Sequence, residues 1–131
     1  MIFSCQQLFS LLKDKYHIIP TSKVITSFND KHFHTLDITN RNRVKSFLTD
    51  FNPEIIINCA AYTNVDESET NKELANKVNV KGLLNLIHYS NKDTFFIQIS
   101  TDYVFDGESG PYLEDDLTIP VNYYGRTKLE A

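Results

Sequence analysis

Apolar residues recur along this chain with two different spacings, and segments with the two spacings alternate. Continuous apolar and β-branched runs predict four strands, at 17–22, 34–38, 54–61 and 94–100. Apolar residues three and four apart predict helices at 3–15, 40–51 and 70–90, and a last helix that begins near Asn122. Strands that alternate with helices predict an α/β fold, with a parallel sheet and flanking helices.

The residues that follow the predicted strands are the first candidates for a binding site. In parallel α/β sheets, ligands sit beyond the carboxyl ends of the strands. Polar or small residues stand at the ends of three of the predicted strands: Asp37 closes one, residues 60–63 come at the end of the next, and residues 100–103 at the end of the last. We therefore expect these residues to line one edge of the sheet.

Composition and charge narrow the classes of function. The 131 residues predict one domain, and a net charge of −4 without a basic stripe argues against a nucleic-acid partner. No apolar run approaches the ~20 residues of a membrane-spanning helix, and the start is typical of an ordinary helix rather than a signal peptide. A cytoplasmic protein is expected, with Cys5 and Cys59 as free thiols. The four histidines lack metal-ligand spacing, so no metal is expected, and Asp66, Glu67 and Glu69 fit a solvated first helical turn.

Tyr124 and Lys128 form a pair with recognisable chemistry. Because they stand four residues apart on the last predicted helix, their side chains share one face, one turn apart. An ammonium near a phenol favours the phenolate, so the phenol can exchange a proton with an alcohol or carbonyl oxygen near neutral pH. The same spacing also arises by chance on solvated helices, so the pair alone does not establish a site.

Thr101 lies at the carboxyl end of the last predicted strand, 23 residues before Tyr124. A hydroxyl there can reach a substrate oxygen held by the tyrosine. It can also cap a turn or a helix. Spacing alone favours the cap and leaves the substrate contact open.

Longer motifs resemble a known enzyme family. They are INCAAYTNVDESE at 57–69, VN at 78–79, ISTDYVFDG at 99–107 and PVNYYGRTKLEA at 120–131. Their order and spacing resemble those of the extended short-chain dehydrogenase/reductases, and within them the dTDP-4-dehydrorhamnose reductases. The resemblance covers about residues 5–131. It implies NAD(P)H-dependent reduction of dTDP-4-dehydro-6-deoxy-L-mannose to dTDP-L-rhamnose, for cell-surface polysaccharide.

The resemblance implies catalytic roles for individual residues. Tyr124 corresponds to the acid that protonates the C4 oxygen of the keto-sugar, and Lys128 to the residue that binds the nicotinamide ribose and tunes that tyrosine. Thr101 corresponds to the hydroxyl that orients the substrate carbonyl. Asn79 corresponds to a helix asparagine with a structural or proton-relay role, although a solvated helix asparagine is an equal alternative.

Other residues correspond to the cofactor-binding surface. Asp37 and Ile38 match the pair that flanks the adenine. Cys59, Ala60 and Ala61 match a segment of small residues, where the backbone must approach the cofactor closely. Tyr124 and Lys128 belong to this surface as well as to the catalytic set.

The substrate side of the site is implied to begin just beyond that segment. Tyr62, Thr63 and Val65 lie there by resemblance, and Tyr103 either touches the substrate or belongs partly to the core. The implied ligand is a nucleotide sugar. The resemblance is also compatible with a homodimer of full-length proteins of this family.

The sequence departs from the family at the glycine-rich turn that holds the cofactor pyrophosphate. Its four glycines are Gly82, Gly107, Gly110 and Gly125, and none lies near the start. We therefore expect residues 1–131 to be a partial NAD(P)-binding Rossmann domain with no second domain. The first strand, with its turn, and the C-terminal lobe would be missing. This chain alone is predicted to bind NAD(P)H weakly or not at all, and to lack reductase activity.

The cofactor preference and the function each have alternatives. Residues 20–23 hold a lysine and no acid where an acid would select NAD, which favours NADP. The regulatory β subunit of methionine adenosyltransferase has the same fold and similar motifs without being an enzyme. Sugar-nucleotide epimerases and dehydratases share Thr101, Tyr124 and Lys128. The intact catalytic set favours an enzyme, and the STDYVFDG motif favours the reductase branch.

Overall fold

The computed structural model describes residues 5–24 and 33–131, which form short parallel strands flanked by helices. The strands are β1 (Thr21–Ser22), β2 (His34–Thr35), β3 (Ile55–Asn58) and β4 (Phe95–Gln98). The α-helices are α1 (Cys5–Leu12), α2 (Arg41–Phe51), α3 (Val65–Thr70), α4 (Lys72–Asn76), α5 (Leu83–Tyr89) and α6 (Tyr123–Glu130). A π-helical turn (Lys77–Gly82) joins α4 to α5, and a 3-10 turn (Asp102–Val104) follows β4. The start of the predicted helix 3–15, His32 and the Cys5 side chain lie outside the described parts.

The strands pair in parallel, as predicted, but the described residues form two separate sheets rather than one. β1 pairs with β2, with Thr21 beside His34, and β3 pairs with β4, with Ile55 beside Phe95. In the doubly wound order, the strands that match β1 and β3 flank a common central strand. No described strand occupies that position, so the backbone ladder is interrupted there. The predicted α/β class is confirmed, and within the described residues the sheet is incomplete, as expected.

The paired parts of the strands are shorter than the apolar runs that predicted them. The run 17–22 pairs only at its last two residues, because Pro20 has no N–H for a ladder. Pro20 contributes its carbonyl alone, which accepts the His34 N–H at 2.9 Å. β3 ends at Asn58, whose side chain accepts the Ala60 N–H at 3.1 Å. The strand positions were therefore predictable, whereas their ends depended on individual side chains.

One hydrophobic cluster holds the two strand pairs together. Its buried members are Leu36, Ile38, Val44, Leu48 and Leu86. Ile56 of β3 and Phe96 of β4 pack against this cluster, so α2 and α5 cover one face of the β3–β4 pair. Side chains alternate along a strand. Ile55 and Phe95 therefore lie on the opposite face, where they are 52% and 64% exposed.

The helix predicted at 70–90 begins earlier and is not continuous. Asn64 caps its start, and a break at Asn71 separates α3 from α4. The π-helical turn then brings Gly82 against Ile38, and a Cβ on Gly82 would lie 2.7 Å from Ile38 Cδ1. A glycine at this position thus allows the turn to pack closely against the end of the β1–β2 pair. In the described parts of the chain, no helix has the length and apolar character to cross a membrane.

Candidate active site

The helix that carries the predicted tyrosine and lysine is anchored at its first turn. The Asn122 side-chain oxygen accepts the Gly125 N–H at 2.7 Å, and a Glu69 carboxylate oxygen accepts the Tyr123 N–H at 2.5 Å. Both acceptors satisfy N–H groups that a helix start leaves without intrahelical partners. Glu69 is exposed, as predicted, but it also caps α6 from the end of α3. No sequence pattern indicated this second role.

Tyr124 and Lys128 are both buried on the same side of α6, facing the segment that follows β4. The Lys128 ammonium donates to the Ile99 carbonyl oxygen, with Nζ and O 2.6 Å apart. The Tyr124 ring meets the Tyr103 ring edge to face, with centroids 5.7 Å apart. Their relative exposures are only 8% and 6%, which is unusual for a lysine. The four-residue spacing thus directs both side chains to the carboxyl end of β4.

The electrostatic environment of Lys128 links the ends of two strands. Burial disfavours the ammonium and lowers the pKa of Lys128, while the electrostatic interaction with Cys59 acts in the opposite direction. Cys59 directly follows β3, and Ile99 directly follows β4. One ammonium therefore lies between two segments that the sequence predicted to meet at the site.

Thr101 acts as a cap. Its hydroxyl oxygen accepts the Tyr103 N–H at 3.4 Å, and its hydroxyl donates to Asp102 Oδ1 at 3.2 Å. The capping interpretation thus describes Thr101 here, and it starts the 3-10 turn. Thr101 is half-buried beyond the end of β4, so a ligand could reach it. Contact with a substrate stays a prediction.

Gly125 lets α6 approach this 3-10 turn. A Cβ at position 125 would lie 2.1 Å from the Tyr103 carbonyl oxygen and 3.1 Å from Pro120 Cβ. Any side chain there would force the helix away from the turn. The sequence showed the Tyr–Gly pair but not the backbone that Gly125 faces.

Asn79 and Thr127 connect α6 to the loop after β3. Asn79 Oδ1 accepts the Tyr62 N–H at 2.7 Å, and Asn79 Nδ2 donates to the Tyr62 carbonyl oxygen at 3.3 Å and to Thr127 Oγ1 at 2.8 Å. The Thr127 hydroxyl in turn donates to the Tyr124 carbonyl oxygen at 2.8 Å. The alternative of a solvated Asn79 is wrong, because its side chain is buried in the π-helical turn. Sequence patterns missed Thr127.

Asp37 and Ile38, the predicted adenine-side pair, lie at the end of the β1–β2 pair. Asp37 Oδ1 accepts the Thr39 N–H at 2.9 Å and the Thr39 hydroxyl at 2.8 Å, and Lys23 Nζ lies 3.1 Å from Asp37 Oδ2. Burial opposes ionisation of Asp37, but the Thr39 hydrogen bonds and the Lys23 charge outweigh it and lower the pKa. Ile38 is buried, and its carbonyl oxygen accepts Asn85 Nδ2 at 2.9 Å.

The remaining predicted contacts lie between these two groups along the chain. Cys59 and Ala61 are half-buried and Ala60 is exposed, directly beyond β3. Thr63 is exposed and Val65 is half-buried at the start of α3. Small side chains thus border the strand end, as expected for backbone that a ligand approaches. Contact with a cofactor or a substrate stays a prediction for all five residues.

Two tyrosines on the predicted substrate side differ in their surroundings. Tyr103 is 44% exposed, so it is a surface residue as much as a partner of the Tyr124 ring. The Tyr62 hydroxyl oxygen is enclosed and makes no well-formed hydrogen bond with a described residue. Even so, the Glu67 carboxylate lies close enough to raise the pKa of Tyr62 to about 12. Tyr62 therefore stays a neutral phenol.

Known proteins resemble this chain over most of its length. The family profile described as RmlD substrate binding domain matches residues 6–131. The dTDP-4-dehydrorhamnose reductase of Aggregatibacter actinomycetemcomitans is 44% identical over 101 residues, covering 76% of this chain and 34% of that protein. Methionine adenosyltransferase 2 subunit beta of Xenopus laevis is 42% identical over 100 residues, covering 76% and 30%. The chain thus spans about a third of the length of these curated relatives.

Solved structures agree with the sequence comparison. The crystal structure of a hypothetical dTDP-4-dehydrorhamnose reductase from Sulfolobus tokodaii superposes with a TM-score of 0.83 at 37% identity, over 94% of this chain and 44% of that chain. The enzyme of that name from Bacillus anthracis, solved in complex with NADP, gives 0.69 at 35% identity, over 79% and 40%. The predicted Rossmann-like fold is confirmed. By sequence and by structure, this chain belongs to the RmlD substrate-binding-domain family.

Proposed function

We propose that this chain carries the catalytic residues of a reductase that converts dTDP-4-dehydro-6-deoxy-L-mannose to dTDP-L-rhamnose with NAD(P)H. One observation carries the proposal: Tyr124 and Lys128 are buried on one side of α6, at the carboxyl end of β4. Relatives and solved structures named as dTDP-4-dehydrorhamnose reductases support it.

The residues at this strand end have the chemistry that carbonyl reduction needs. Bound NAD(P)H would supply the hydride that adds to the C4 carbon of the keto-sugar. The Tyr124 phenol donates a proton to the C4 oxygen as negative charge develops there. The Lys128 ammonium, one turn along the helix, stabilises the phenolate that remains. The Thr101 hydroxyl orients the substrate carbonyl by exchanging its contact with Asp102 for one with the C4 oxygen.

The residues present fit the nicotinamide and adenine ends of an NAD(P)H cofactor. An ammonium has three donors, and Lys128 uses one on Ile99, which leaves donors for the hydroxyls of the nicotinamide ribose. Ala60 and its neighbours keep the strand end free of bulk, and Asp37 with Ile38 would flank the adenine. None of the four glycines forms a glycine-rich turn, so the pyrophosphate lacks its usual cradle in this chain. Binding of NAD(P)H to the isolated chain is therefore expected to be weak.

We infer a preference for NADPH over NADH from the end of β1. Lys23 directly follows Thr21 and Ser22, and its ammonium lies beside Asp37. An ammonium at this strand end suits a 2′-phosphate, whereas an acid would suit the free ribose hydroxyl. The NADP complex of the Bacillus anthracis relative supports this preference.

The wider setting belongs to the same proposal. Residues 1–131 would act as part of an NAD(P)-binding domain, in the cytoplasm, where nucleotide sugars and NADPH are available. The scattered charge argues against nucleic acid as a partner. A homodimer of the full-length form is the assembly to test by sedimentation.

A regulatory, non-catalytic module is the second candidate function. Its support is the 42% identity to methionine adenosyltransferase 2 subunit beta, close to the 44% of the reductase. A module of this kind would bind its partner enzyme without reducing a sugar. Turnover therefore separates the two candidates, and the product separates a reductase from an epimerase or dehydratase.

A chimeric enzyme tests the proposal. Residues 6–131 of this chain, which the family profile matches, would replace the corresponding segment of the Aggregatibacter actinomycetemcomitans reductase. We expect the chimera to oxidise NADPH, in preference to NADH, when dTDP-4-dehydro-6-deoxy-L-mannose is added, with dTDP-L-rhamnose as the product. Tyr124→Phe should lower kcat about 10²- to 10⁴-fold, because a positioned proton donor is lost.

Tyr123→Phe is the matched control, since it removes the neighbouring phenol on the same helix and should leave kcat nearly unchanged. A folded chimera that reduces no keto-sugar, or a Tyr124→Phe variant as active as its parent, would refute the reductase. An inactive chimera that binds methionine adenosyltransferase would favour the regulatory module instead.

A further inference from the structure

Three segments meet at a buried group that we call the polar clasp: the Asn79 side chain, the Thr127 hydroxyl and the Tyr62 backbone. Asn79 and Thr127 are only 2% and 1% exposed. They come from the π-helical turn and from α6, which are 48 residues apart in sequence. Tyr62 belongs to the loop after β3, next to the small residues proposed to border the cofactor.

The chemistry of the clasp fixes the orientation of each group. The Asn79 amide accepts with its oxygen and donates with both of its N–H groups, so neither an acid nor an apolar residue can replace it. Thr127 Oγ1 accepts from Asn79 and donates to the Tyr124 carbonyl oxygen. Because these bonds are directional and the Asn79 and Thr127 side chains are buried, α6 has one favoured rotation relative to the loop.

The position of Thr127 gives that rotation a consequence. Thr127 lies three residues after Tyr124 and directly before Lys128. The first turn of α6 is held by hydrogen bonds to Asn122 and Glu69 and by the close approach of Gly125. The clasp holds the turn that bears Lys128. Lys128 Nζ lies 2.6 Å from the Ile99 carbonyl oxygen. A small rotation of this turn would move Nζ out of reach of that oxygen.

We propose that Thr127 and Asn79 are positioning residues: together they hold α6 at the rotation that aims Lys128 at the end of β4 and Tyr124 at the Tyr103 ring. The clasp also couples this aim to the loop at Tyr62. The proposal rests on the proposed reductase function, because in that function the orientation of Lys128 and Tyr124 matters for catalysis.

Replacing Thr127 with valine in the full 131-residue chain tests the clasp, since valine keeps the shape and removes the hydroxyl. The readout is the titration of the Lys128 ammonium, followed by NMR of its side chain. In Thr127→Val the Lys128 pKa should rise towards its ordinary value as the ammonium leaves its buried position. Amide exchange at Tyr62 should accelerate about tenfold, the loss expected for one weakened hydrogen bond. Thr127→Ser, which restores the hydroxyl, should return both values.

Thr70→Val is the matched control. It removes an exposed hydroxyl that donates to the carbonyl oxygen three residues earlier, as Thr127 does, but outside the clasp. It should leave the Lys128 titration unchanged. A Thr127→Val variant with the wild-type Lys128 titration would overturn the proposal, since a purely local packing role would give that result.

A measurement on the unmodified chain covers the case in which Thr127→Val fails to fold. The Thr127 hydroxyl proton should exchange slowly enough to be seen by NMR, whereas the exposed Thr70 hydroxyl proton should not. Rapid exchange at Thr127 would refute the clasp. Neither measurement needs cofactor or sugar, so an inactive chimera with an intact clasp would refute only the reductase function.

Discussion

At the scale of single residues, Lys128 shows how the site depends on an unfavourable environment. A lysine is rarely buried, because its ammonium loses hydration, and the Ile99 carbonyl oxygen replaces only part of it. Burial lowers the pKa of Lys128, so the folded chain releases this proton more readily than the unfolded chain does. The proposed function of Lys128 and the stability of the chain are therefore opposed at this position.

We predict that the stability of the wild-type chain relative to Lys128→Met rises with pH. Because the folded pKa lies below 10.5, the unfolded state binds more protons between the two values, and stability increases with pH across that window. Below the window the relative cost of the buried charge is constant. Urea unfolding of both chains from pH 7 to about 11 measures the difference.

The exposed residue Lys81 supplies the reference curve, as Lys81→Met measured in the same way. A wild-type advantage over Lys128→Met that is flat or falls with pH would contradict the prediction. Subtracting the stability curve of one chain from that of another cancels the contribution of the tyrosines, which all three chains share.

At the scale of secondary-structure elements, the start of α6 decides where Tyr124 and Lys128 lie. We predict that Asn122→Ala lowers the free energy of unfolding by about 1 kcal/mol, because the Gly125 N–H loses its acceptor. Asn122→Ser, which keeps a capping oxygen, should recover most of the loss. Chemical denaturation of the three chains measures both effects. Equal stability of the alanine and serine variants would show that the cap contributes little.

Local sequence patterns predicted these elements well, but not the contacts between them. Periodicity placed the strands, α2 and the start of α6, and the spacing of Tyr124 and Lys128 predicted their shared face. The Asn79–Thr127 bond joins residues 48 positions apart, and Gly125 matters because of a carbonyl on another segment. Such contacts exist only once the chain has folded, so no local pattern records them.

At the scale of the whole molecule, the β3–β4 pair leaves one apolar face open. Ile55 and Phe95 are 52% and 64% exposed on this pair, opposite the face that α2 and α5 cover, and Ile99, directly after β4, is about half exposed. Exposed apolar patches and strand edges favour association between chains. We predict that the isolated chain self-associates and that Phe95→Lys weakens the association without lowering the melting temperature.

Light scattering over a range of concentrations measures this association. Leu117→Lys is the control, since it places the same charge on an exposed apolar residue in the loop, away from the sheet. Equal effects of the two variants would mean that net charge matters and the sheet face does not. A strictly monomeric wild-type chain would refute the prediction outright.

The interruption between β1 and β3 has a consequence for the separation of the Asp37 side and the Lys128 side of the candidate site. Each strand pair is hydrogen-bonded only within itself, and among the described residues packed side chains join the two pairs. Packed side chains permit small hinge-like rotations that a continuous backbone ladder would forbid. The angle between the Asp37 side and the Lys128 side is thus set by how Leu36, Val44 and Leu86 interlock. Changing the volume of one of these three side chains would alter the separation of Asp37 and Lys128 without altering either residue.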